Sequence, residues 1–281
     1  MNQSKILTRK ALWFSGIALA LTLISVILRL VSLLCFFDSE IGYYTAGTIL
    51  PLLSNLTTAI AVLFFGVVSL ARFGNFPFVR KPASLTLRMA SVLVALAFVW
   101  LSVSDLLTKR AVFPFLLGLL AAAYFVLIAV KIESPSLRVV GCIGALARIL
   151  VALGHFYFDV TIPMNAPDKV LFELACAISV LFLVCDLRAS LAEPRPALFR
   201  FSTATATLLL AASALPSLLA VKKQILADSY TESYLLLAAL FVYAAVKTVE
   251  LTLPDKEVEV SEPTQPIGDA TDRTDENTTN D

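Results

Sequence analysis

Apolar runs long enough to span a bilayer recur eight times along the 281 residues, at about 11–36, 47–71, 88–107, 111–132, 138–158, 169–191, 201–222 and 232–253. A helix needs about 20 apolar residues to cross the hydrocarbon layer. In lipid, backbone polar groups must be satisfied within the segment, so runs of this kind predict helices. The segments between them are short and carry turn chemistry, as in Gly74-Asn75-Phe76-Pro77, Glu133-Ser134-Pro135 and Glu193-Pro194-Arg195-Pro196. Only Lys109 and Arg110 separate the third run from the fourth, which predicts a tight hairpin. The basic start, Lys5 to Lys10, followed by an apolar run resembles a signal peptide. The run continues to about Phe37 without a small-residue cleavage site, however, and a signal core is only about 7–15 residues long. It is read as an uncleaved first span. The expected fold is therefore all-α, a polytopic helical membrane protein of about eight transmembrane helices.

Composition supports the same solvent. Hydrophobic residues make up 58% and charged residues 15%, with a mean hydropathy of +0.85, against roughly a quarter charged in ordinary soluble domains. The formal charge of +1 hides a split. Residues 254–281 hold nine acidic and two basic side chains, which leaves the rest of the chain at +8. This Thr- and Asp-rich end has no aromatics and is expected to be a disordered cytoplasmic tail that could dock a protein partner. Membrane lipids are the other expected partners. No basic stripe with interleaved aromatics suggests nucleic acid. Cys35, Cys142, Cys176 and Cys185 lie in or beside apolar runs without a C-x-x-C pair. They read as small core residues, with no disulfide, zinc site or other cofactor expected.

Orientation follows from basic residues. With residues 1–10 in the cytoplasm, twelve basic residues flank the inner ends of the spans and five the outer ends. The loop Arg72 to Arg88 has four bases and no acid, whereas Asp38 to Tyr44 has two acids and no base. Both termini are thus expected in the cytoplasm of a plasma-membrane protein. Tyr43, Tyr44, Trp100, Tyr157, Tyr230 and Tyr234 fall near the outer interface and Trp13 near the inner one, where amphipathic rings prefer to sit.

The halves resemble one another. Ala59-Ile-Ala-Val-Leu-Phe-Phe65 parallels Ala177-Ile-Ser-Val-Leu-Phe-Leu183, and Phe125 to Lys131 parallels Phe241 to Lys247. Phe36-Phe37-Asp38 parallels Tyr157-Phe158-Asp159, and Arg29 parallels Arg148. Matches in one order at nearly constant offset suggest a four-plus-four duplication, residues 11–132 and 133–253. Four spans is an even number, so the repeats would be parallel.

Ionisable residues in a span call for a reason, since arginine at a helix centre costs about 2.5–3.5 kcal/mol. Arg148 falls near the midplane of the fifth span, and Glu173 enters the sixth, so the two could meet across the hairpin. Arg29 and Asn55 would be the same contact in the first half, although Arg29 could also snorkel outward. The pair is either a buried pin for helix register or a polar centre between the repeats that binds an anion or moves a proton. Asp105 precedes Lys109 and Arg110 at helical ion-pair spacing. Lys247 and Glu250 read as another such pair. His155, the one histidine, reads as interfacial and stands one turn before Asp159. The outer loop with Asp38, Glu40, Tyr43 and Tyr44 is either wet loop or a small-ligand site. Pro51 and Pro216 fall inside spans and are candidate hinges. No H-E-x-x-H, G-x-S-x-G or Walker sequence occurs, so no catalytic motif is found. Two readings lead. One is a small-solute or ion carrier with a polar centre between the repeats. The other is a non-catalytic sensor, binding or scaffold subunit of a larger complex.

Overall fold

The computed structural model describes residues 3–39, 41–73, 83–160, 162–191, 195–226 and 230–251. Glu40, the turn at 74–77, Arg80-Lys81-Pro82, Glu193-Pro194 and the acidic tail 254–281 lie outside them. The elements run α1 (Gln3–Phe36), β1 (Phe37–Asp38), β2 (Tyr43–Tyr44), α2 (Ile49–Phe73), α3 (Leu85–Lys109), α4 (Val112–Val130), α5 (Pro135–Phe158), α6 (Pro167–Ser190), α7 (Pro196–Lys222) and α8 (Thr231–Glu250). Among the described residues, these eight helices are long and apolar enough to cross a membrane. The hydropathy runs locate every helix within a few residues, except that α1 begins at Gln3 and so includes the basic segment placed before the first span.

Local chemistry sets the boundaries. Ser84 caps α3 by accepting the Leu87 N–H at 3.1 Å, and Pro135, Pro167 and Pro196 open α5, α6 and α7, where a missing N–H loses no bond. Arg110 and Lys131 end α3 and α4 with φ of 53° and 64°. Pro51 lies in the first turn of α2, where it interrupts no helical hydrogen bond, so it is not a hinge. Pro216 does lie inside α7. The loop after α1 closes as a minimal hairpin, Phe37 opposite Tyr44, with Gly42 at φ 75° donating to the Asp38 carbonyl at 2.9 Å.

Consecutive helices run antiparallel. Ser84 and Ser104 of α3 meet Glu250 and Glu232 of α8 in reverse order. The end that begins α1, α3, α5 and α7 is called the near end, the other the far end. Helix α7 is the axis: it packs on α1, α2, α6 and α8, and 83% of its spanning window is buried, against 22% for α2. Its sequence explains this. Ser202 to Ser217 is largely Ser, Thr and Ala, and small residues let backbones approach where lipid supplies no hydrophobic drive between helices. Helix α1 presents a matching seam of Ser15, Ala18, Thr22, Ser25, Arg29 and Ser32, all buried. Many hydroxyls are satisfied within their own helix, as Thr22, Ser91, Ser102, Ser179 and Thr207 donate to the carbonyl four residues back. Glycines bring α4 against α5. A Cβ at Gly141 would stand 2.9 Å from Tyr124 Cβ, and one at Gly144 2.6 Å from Leu120 Cγ. Aromatic rings fill the centre, with Phe125 against Phe98 and Tyr243, and Phe156 stacked on Phe172 at 4.2 Å.

The duplication is not visible in the packing. Helix α7 is central while its counterpart α3 is 44% buried in the same measure.

Candidate functional site

Among the described residues, three ion pairs join helices in the interior, and none is the pairing expected from the sequence. Arg148 pairs with Asp105 of α3 rather than with Glu173. The reason is azimuth. Arg148 shares the inward face of α5 with Cys142, Ala145, Ile149 and Ala152, while Glu173 stands at the edge of the inward face of α6. Asp105 follows Phe98 and Leu101 along the buried face of α3, so it turns into the bundle instead of towards Arg110, which is exposed and has left the helix. Residues Arg148 and Asp105 are 3% and 1% exposed. Glu232 of α8 acts on Arg148 electrostatically and accepts the Ser104 hydroxyl.

Arg29 neither reaches Asn55 nor snorkels. It pairs with Asp168 in the first turn of α6, where the helix N-terminus favours a carboxylate. Asn55 sits on the exposed face of α2. The Tyr44 ring covers the Arg29 guanidinium at 5.5 Å from its centroid. Burial raises the Tyr44 phenol well above its usual range, with Asp168 adding and Arg29 opposing. Tyr44 thus packs on this pair, with its hydroxyl buried and without a hydrogen-bond partner. Tyr43 is exposed, and Asp38 accepts the Ile41 N–H within the hairpin.

The third pair is at the near end. Asp186 of α6 binds Lys247 of α8 at 2.9 Å and accepts the hydroxyls of Tyr243 at 2.8 Å and Tyr124 at 3.1 Å. Lys247 therefore does not pair with Glu250, which accepts Ser84 instead. Sequence reasoning missed Asp186, Asp168 and both tyrosines. The available signal was position: Asp186 lies on the face of Ser179, Phe182 and Leu183, which is buried throughout.

At the far end Tyr230 donates to Asp159, and Lys169 Nζ donates to the Asp159 carbonyl at 2.9 Å. Burial and this carboxylate raise the Tyr230 phenol. His155 is exposed one turn away.

Glu173 stands apart from the pairs. It lines a groove of about 480 Å³ between α5 and α6 with Leu150, Leu153, Gly154, Tyr157 and Leu174, and its Oε1 is buried without a hydrogen-bond partner. The groove opens on the outside of the bundle, because Leu150, Tyr157 and Leu174 are exposed.

No protein-family model, curated protein or solved structure matches this chain. Eight spanning helices make it a multi-pass membrane protein, and any narrower reading rests on the geometry above.

Proposed function

We propose that the chain is a non-catalytic binding or scaffold component of the membrane, and not a carrier that opens its interior. The observation behind this reading is the state of Arg148 and Asp105. A carrier centre would set these charges beside a reachable cavity between the halves. They are instead neutralised by each other and sealed among α3, α5 and α8. Two further neutral pairs tie α1 to α6 and α6 to α8, so the charges join helices across the bundle. Buried polar pairs of this kind fix helix register.

The basic-residue bias supports both termini in the cytoplasm of a plasma-membrane protein. The acidic tail, with nine acids among its last 28 residues, suits a basic partner surface there.

Cysteine accessibility tests the reading without a known substrate. In a Cys35→Ser background, Ser213→Cys in α7 and Ser102→Cys in α3 are treated with a charged thiol reagent from each face of intact membranes. Both positions are buried, and no labelling is expected. Lys223→Cys, exposed after α7, is expected to label from the outside only. Labelling of Ser213→Cys from the two faces in turn would show alternating access and overturn the proposal.

A further inference from the structure

The groove between α5 and α6 combines three features. It opens on the outside of the bundle, it is walled by apolar side chains, and it holds a carboxylate oxygen without a partner. Glu173 lies six residues inside Pro167, so at about 1.5 Å per residue it is roughly 9 Å from the far end of the bundle. Ala177, at the inner limit of the groove, is about 15 Å in. A carboxylate at that depth is costly unless a cation or a proton meets it. The neighbouring cations are committed elsewhere: Arg148 to Asp105, and Lys169 to the Asp159 carbonyl. No basic side chain lines the groove.

The wall is shaped for a chain. Leu150, Leu153, Val170 and Leu174 supply apolar surface, and a Cβ at Gly154 would meet nothing within 4 Å. We infer that this groove binds a membrane-dissolved amphiphile bearing a protonated amine, the ammonium on Glu173 and the alkyl chain along α5 and α6. Tyr157 also lines the groove, and its ring already faces one cation, Lys169 Nζ at 6.0 Å from the centroid. A fatty acid would meet like charge at Glu173, and a neutral lipid could at most donate a hydrogen bond and would leave the carboxylate without a counter-charge. The inference deepens the binding reading proposed above and rests on it.

The test uses the full chain in neutral phosphatidylcholine nanodiscs and a diazirine-bearing dodecylamine as photoprobe. Saturable adducts are expected on α5 and α6 at Leu150, Leu153, Leu174 or Ala177. Excess dodecylamine should displace them, and dodecanol or dodecanoate should not. Glu173→Gln should weaken labelling about tenfold or more, as expected for loss of a charge-assisted contact, and Glu173→Asp should retain most of it. Gly154→Leu, or Ala177→Phe if the former does not fold, should block the groove with the carboxylate intact. Folding of each variant is checked by thermal exposure of the buried cysteines. Equal competition by dodecanol, or labelling unchanged in Glu173→Gln, would overturn the amine assignment. The accessibility experiment on Ser213 reports on the sealed interior independently, so failure of the groove and failure of the scaffold reading give different results.

Discussion

Replacing Asp105 with Asn keeps the shape of the side chain and removes the charge opposite Arg148. The guanidinium is 3% exposed, and its Nε already lacks a hydrogen-bond partner. Breaking a buried ion pair from one side costs about 3–5 kcal/mol, because the remaining charge is stranded. Arg148 lies ten residues before Phe158, about 15 Å from the far end, too deep to reach water easily. Glu232 offsets part of the loss, since it already acts on Arg148. The expected destabilisation is therefore about 3 kcal/mol, at the low end of that range. Removing both charges should be far milder: Asp105→Asn with Arg148→Met is expected within about 1 kcal/mol of wild type, as apolar replacement of a buried pair often is. Adding Glu232→Gln to Asp105→Asn should deepen the loss. The assay is detergent-titrated unfolding in bicelles, followed by labelling of Cys142, Cys176 and Cys185, all buried in the fold. If Asp105→Asn matches wild type, or if the double variant is as unstable as the single, the pair is not what holds these helices and the argument fails.

Gly141→Ala places a Cβ 2.9 Å from that of Tyr124, with backbone atoms close behind. The helices must separate, and a loss of about 1–3 kcal/mol is expected in the same unfolding assay; the Gly154→Ala control, with open space around it, should be near neutral. The Tyr230 and Tyr44 phenols are raised above the usual value of 10.0. The folded state thus favours the protonated form, its contribution is complete below pH 10 and is lost as pH rises above it. Stability measured from pH 9 upward should fall, and Tyr230→Phe should remove part of that slope; an unchanged slope would refute the assignment.

The membrane architecture was legible because it depends on one coordinate, depth along the chain. Apolar length decides which segments cross, and eight runs became eight helices with ends near the expected turns. The interior contacts depend on a second coordinate, the direction each side chain faces around its helix, and string position alone hides it. Arg148 and Glu173 lie on adjacent helices within an arginine side chain's reach in depth, which made them look like partners, yet one faces the core and the other the groove. Asp168 and Asp186 sit near helix ends, where charges are normally assigned to the interface, yet both turn inward. Azimuth can be partly read. The α1 positions 15, 18, 22, 25, 29 and 32 alternate by three and four and carry small or polar residues in an otherwise aliphatic helix, and that stripe is the one packed on α7. Applied to Arg29, the stripe already excludes a snorkelling side chain on the lipid face. Applied to α7, whose Ser, Thr and Ala residues surround the whole helix, it marks the axis of the bundle before any contact is known. What no stripe supplies is the partner. Arg29 and Arg148 stand 119 residues apart in similar surroundings, yet their aspartates come from α6 and α3, because the central position of α7 gives the two arginines different neighbours.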